Sequence, residues 1–107
     1  MRIRQYDTYP IEYRCVDEEN RPVDLSSAGT VGFYMIKDGD LTPTVAASAS
    51  MKSAAVGLVE YQFVEGDTDV AGMYRAEWKI DFSGSVVTYP RNDILWIYIV
   101  GATHALE

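Results

Sequence analysis

The sequence predicts an all-β chain folded as an antiparallel β-sandwich of about seven short strands. Three observations point there. Tyr74, Ala76, Trp78, Ile80 and Phe82 alternate with Arg75, Glu77, Lys79 and Asp81, a period of two that suits a strand with one dry face and one wet face. Nowhere do apolar residues recur at the spacing of an amphipathic helix over three turns. Short alternating segments are instead separated by Gly, Pro, Asp and Asn, the residues that reverse an extended chain.

In chain order, Thr8 to Val16 sets Ile11, Tyr13 and Cys15 against Glu12 and Arg14 and reads as the first strand. Asp17-Glu18-Glu19-Asn20-Arg21-Pro22 turns the chain, and Val23 to Gly29 is a short connection. Thr30 to Ile36 places Val31, Phe33 and Met35 against Gly32, Tyr34 and Ile36, and the following Asp38-Gly39 is a hairpin-type turn signal. Leu41 to Ala55 is rich in Ser, Thr and small residues and supports one marginal strand over Val45 to Ser50. Its weak faces make it the candidate edge strand, open to a partner's backbone. Gly57 to Val64 sets Val59, Tyr61 and Phe63 against Glu60 and Gln62. After the Tyr74 strand, Phe82-Ser83-Gly84-Ser85 turns into Val86 to Tyr89, which Pro90 interrupts. Ile94 to Val100 closes the fold as an apolar run, either buried on both sides or presenting Trp96 and Tyr98 outward.

A chain of 107 residues has room for one core, so residues 1–105 are expected to form a single domain. Leu106-Glu107 resembles the start of an expression-vector tail and is set aside. No apolar run approaches the roughly 20 residues that cross a bilayer, and the polar start Met1-Arg2-Ile3-Arg4-Gln5 lacks the apolar stretch of a secretory leader. The expectation is a protein made in the cytoplasm, with no membrane partner. A net charge of −7, with nine Lys and Arg scattered singly, argues against nucleic acid. Cys15 stands alone, so no intrachain disulfide or cysteine metal cluster can form, and it reads as a buried inert thiol.

Catalytic chemistry finds little footing. The one histidine, His104, lies beyond the last strand, where it cannot serve a nucleophile held by the fold. The acids fall in turns and on the wet face, where nothing raises a carboxyl pKa for glycoside hydrolysis. Glu65, Asp67 and Asp69 share one loop and could offer oxygens to calcium, but they lack the spacing of an EF-hand and read better as turn residues that position Tyr74. No catalytic residue, metal or cofactor is expected. Exposed aromatics are the better candidates: with eight Tyr, two Trp and three Phe, rings from Tyr34, Trp96 and Tyr98 could anchor a protein interface or, alternatively, stack on sugar rings as in a carbohydrate-binding or adhesive module.

Five elements in order carry a resemblance: Asp7-Thr8-Tyr9-Pro10-Ile11-Glu12-Tyr13; Pro22-Val23-Asp24-Leu25 before Thr30-Val31-Gly32-Phe33-Tyr34-Met35; Gly57-Leu58-Val59-Glu60-Tyr61; Gly66-Asp67-Thr68-Asp69-Val70-Ala71-Gly72-Met73-Tyr74-Arg75-Ala76-Glu77; and Thr88-Tyr89-Pro90 before the closing strand. Together they resemble the immunoglobulin-like N-terminal domain of phage baseplate upper proteins and similar small tail proteins, over nearly the full chain. Tyr74, after Asp69 and Gly72, resembles the tyrosine corner of immunoglobulin-like sandwiches. Ala76 then stands where such domains carry their second cysteine, and Trp78 fills the space of the missing disulfide. The resemblance implies an immunoglobulin-like sandwich and a non-enzymatic structural subunit of a phage or prophage tail, located in the virion. It also implies contacts with other tail or baseplate proteins and with further copies of itself.

Overall fold

The strand that the alternation marks most clearly is also the longest. In the computed structural model, which describes residues 1–102, Gly72–Phe82 is an eleven-residue strand whose burial alternates as its sequence does. The strands in chain order are β1 (Arg2–Arg4), β2 (Pro10–Arg14), β3 (Thr30–Lys37), β4 (Val45–Ser53), β5 (Leu58–Gln62), β6 (Gly72–Phe82), β7 (Ser85–Tyr89) and β8 (Leu95–Val100). A single 3-10 turn, Ala54–Val56, precedes β5, and no α-helix occurs among the described residues. His104 and Leu106-Glu107 lie outside the described residues.

The strands form one curled mixed sheet in the order β1-β8-β6-β3-β4-β5-β2, with β7 also paired to β6. All pairs are antiparallel except β1 with β8, which is parallel. That corrects the purely antiparallel expectation, and β1 was not expected at all: three residues carry no readable period, and the partner lies at the far end of the chain.

The curl turns on β4. Val45 to Ala49 pair with β3, and Ser50 to Ser53 pair with β5 across a bulge between Met51 and Ser53. The segment read as a marginal edge is therefore a nine-residue strand that is paired on one side over each half, with its first half open on the side away from β3. Small side chains let it bend between two neighbours, which is also why its faces look weak in sequence.

The bend brings β5 over β3. Phe33 stacks on Tyr61 with ring centroids 4.8 Å apart, packs at 4.7 Å on Trp78, and meets Phe63 edge-on at 6.1 Å. Tyr13 also stacks on Trp78, at 6.0 Å. Around these rings Ile11, Val31, Met35, Val59, Ile80, Ile97 and Ile99 are buried. Cys15 is fully buried among them, and burial pushes its thiol up to about 12, so it holds its proton at neutral pH and is a poor nucleophile. The outward side of the β2–β5 arm is polar: Lys52 bonds Glu12 and lies 3.5 Å from Glu60, exposed pairs that contribute little to stability.

Candidate functional site

The alternation that buries Tyr74, Ala76, Trp78 and Ile80 must turn Met73, Arg75, Glu77 and Lys79 to the other side of β6. There the register places Tyr98 opposite Met73 and Trp96 opposite Arg75 on β8, with Ile36 opposite Arg75 and Tyr34 opposite Glu77 on β3. β1 extends the face by setting Arg2 opposite Tyr98. Ile97 and Ile99 point into the core, so the apolar run of β8 is one buried row and one exposed row rather than a strand buried on both sides.

Two clusters result. Trp96 is 38% exposed, Tyr98 36% and Met73 45%, and the Arg2 guanidinium carbon sits 5.3 Å from the Tyr98 ring centre. Such a stack is worth about 0.5–1 kcal/mol at an exposed site and holds the ring in place. Tyr34 stands apart, beyond the Arg75–Glu77 row. Its ring lies over Gly32, where an added Cβ would come within 2.9 Å of the ring, and Lys79 Nζ covers it at 5.7 Å from the ring centre. Tyr34 is thus half-buried and pressed against the sheet. Beside it a shallow groove of about 470 Å³ runs between Ile36, Arg75, Glu77, Pro43 and Ile94.

Of the three aromatics expected at an interface, the structure unites Trp96 and Tyr98 and separates Tyr34. Met73 and Arg2 complete the patch and were missed. Met73 was legible, since it continues the wet-face alternation of β6 by one step. Arg2 was not, because its place depends on the β1–β8 pairing.

The corner behind this face is built differently from the expectation that the acidic loop sets Tyr74. The buried Tyr74 hydroxyl donates to the Val70 carbonyl at 2.6 Å, and burial raises its pKa. Asp69 contributes its backbone carbonyl, which accepts from Gln5 Nε2 at 2.6 Å. The Asp67 carboxylate serves another ring: it accepts from the Tyr61 hydroxyl at 2.7 Å and from the Val64 N–H at 3.0 Å. Burial and that carboxylate together push the Tyr61 pKa up. Gly72, at φ 146, opens β6 where the Lys37 stem crosses and would lie 2.9 Å from a Cβ. Thr68 is buried and donates to the Asp7 carbonyl at 2.8 Å, tying the loop to the N-terminal segment. Among the described residues no three His, Cys, Asp or Glu side chains converge to hold a metal ion.

Tyr74→Phe isolates the corner hydroxyl, because the ring remains and the Val70 carbonyl loses its donor. The expected loss is about 1–2 kcal/mol of unfolding free energy, read as a lower denaturant midpoint at unchanged slope. A midpoint equal to that of wild type would show that the hydroxyl holds nothing.

No protein-family model matches the chain, and no curated protein sequence matches it.

Proposed function

We propose that the chain is a non-enzymatic assembly subunit of a phage or prophage tail, of the baseplate type, built as an immunoglobulin-like β-sandwich and acting through protein–protein contacts in the virion. The observation that carries this reading is the exposed patch of Trp96, Tyr98 and Met73 on a rigid sheet. Rings with a polar handle, held in place, supply contact area with little rotamer entropy to lose, which is why Trp and Tyr concentrate at interface centres. The immunoglobulin-like assignment is supported by the hydroxyl bond from Tyr74 back to Val70 and by the face-to-face packing of Phe33 on Tyr61, both usual in such sandwiches.

The test is whether tail particles, purified from the bacterium that carries the gene, contain the chain, and whether Trp96→Ala removes it from them. Trp96 is outward, so the variant is expected to keep its melting temperature within a few degrees while its incorporation falls. Full incorporation with a lowered melting temperature would make the ring structural. Particles that lack the wild-type chain would overturn the tail role, and binding of the purified protein to a glycan array through Trp96 and Tyr98 would place sugar recognition there instead.

A further inference from the structure

Among the described residues the free strand edges are not defended alike. β1 carries Arg2 and Arg4, and β2 carries Pro10, Glu12 and Arg14, the charges and proline that keep an edge from recruiting another chain. The first half of β4, Val45 to Ala49, and all of β7, Ser85–Tyr89, carry neither charge nor proline. Among the described residues β4 pairs only with β3 over that half, and β7 only with β6.

The hairpin between β6 and β7 sets the direction of the backbone groups. Ser83 and Gly84, at φ 56 and 98, form a two-residue turn closed by Phe82 and Ser85, and such a closing pair is hydrogen-bonded. Alternation from there aims the N–H and C=O of Phe82, Ile80 and Trp78 at β7, and leaves those of Val86 and Thr88 facing away from the sheet. The same alternation carried through the registers of β6 with β3 and of β3 with β4 leaves the groups of Ala46 and Ser48 facing away on the opposite side. None of the loop hydrogen bonds among the described residues reaches these four residues.

We propose that the β4 edge of one copy pairs with the β7 edge of a second copy, head to tail, so that the sheet continues from molecule to molecule. Four observations select this occupant. Strand directions across β7-β6-β3-β4 alternate, so a copy shifted sideways meets its neighbour antiparallel with the same face outward. Pairing Ala46 with Thr88 and Ser48 with Val86 joins outward-facing groups in about four N–H···O=C bonds and keeps the core-side Val45 and Ala47 in line with the core-side Tyr89 and Val87. The exposed Val86, 59% accessible, then meets the small Ala46 and Ser48. The paired segments, Val45 to Ala49 and Ser85 to Tyr89, also bring no charged side chain of their own to a contact between copies of net charge −7. A head-to-tail contact of this kind closes into a ring or extends as a filament, according to the rotation between neighbours.

The pairing stands apart from any tail role, since the purified chain tests it and particle composition tests the tail. Sedimentation equilibrium of the wild-type protein is expected to show a mass that rises with concentration beyond the dimer. Ser48→Pro removes a donor from the β4 edge and Val86→Pro one from the β7 edge, each on the side away from its own ladder. Either variant alone is expected to self-associate about ten-fold more weakly or less still, and the two mixed are expected to form a one-to-one dimer and nothing larger, because each keeps the edge the other lacks. Thermal unfolding checks that each variant is folded, with Ala46→Pro in reserve for Ser48→Pro. In the wild type, amide exchange at Ala46, Ser48, Val86 and Thr88 is expected to slow as concentration rises. A protein that stays monomeric, stops at a dimer, or dimerises when only one edge is blocked would overturn the head-to-tail pairing.

Discussion

Trp78→Ala is expected to cost about 3–5 kcal/mol of unfolding free energy, a large part of the roughly 5–15 kcal/mol that holds a domain together. The indole is fully buried and packs against Phe33 at 4.7 Å and Tyr13 at 6.0 Å. Its removal strips contacts from both arms of the curled sheet and leaves a cavity that two rings held by different strands cannot close. Trp78→Phe is expected to behave quite differently. Among the described residues, Trp78 Nε1 is the buried side-chain polar atom without a hydrogen-bond partner, and an unmet buried donor costs about 1–3 kcal/mol. Phenylalanine keeps a ring in the layer and discards that donor, so the lost volume and the relieved N–H offset each other to within about 1.5 kcal/mol. Denaturant unfolding of the two variants decides the matter. A small loss for Trp78→Ala would deny the ring its central place, and equal losses for both variants would show that the orphaned N–H is not the cost assigned to it.

What was legible in the sequence was what local period controls. The dry rows of β3, β5 and β6, namely Val31-Phe33-Met35, Val59-Tyr61-Phe63 and Tyr74-Ala76-Trp78-Ile80, all face the core, because a strand half buried in one sheet imposes its period on every second residue. The seats of Trp96 and Tyr98 followed from the same rule once β8 had one buried row. What was hidden depended on partners far away in the chain. β1 exists because Tyr98 N–H and the Met1 carbonyl meet at 2.9 Å and Gln5 N–H reaches Val100 at 2.8 Å, and no three-residue window could announce that. β4 looked marginal because Ala46 to Ser50, where it passes from β3 to β5, carry only small side chains and so show no readable face. The corner was legible as a tyrosine near a turn, but its acceptor was not: a backbone carbonyl, Val70, took the place that acidic side chains suggested. Asp67 was left to Tyr61, six residues earlier, a choice set by how the loop folds back rather than by spacing.

Gly57→Ala is expected to be the most damaging of the small substitutions, at about 3 kcal/mol or more. Gly57 follows the 3-10 turn at φ 73, a left-handed conformation that side chains disfavour. Conformation is the lesser part. A Cβ there would stand 2.6 Å from the Val23 carbonyl oxygen and 2.7 Å from that of Cys15, and both are backbone atoms that cannot swing aside. The segments that carry them are also tied together: Cys15 N–H donates to the Gly57 carbonyl at 2.8 Å, Val23 N–H to the Cys15 carbonyl at 3.0 Å, and Leu25 N–H to the Ala54 carbonyl at 2.7 Å. Three segments of backbone are thus tied at one point, just ahead of the strand that carries Tyr61 over Phe33, and space for one methyl group requires that tie to open. Gly39→Ala is the matched control. Gly39 has φ 93 with nothing within 4 Å of an added Cβ, so it bears the conformational cost alone, about 1 kcal/mol. Chemical denaturation of both variants separates the two effects, and near-equal midpoints would show that the close approach of Cys15 and Val23 contributes nothing beyond the left-handed backbone.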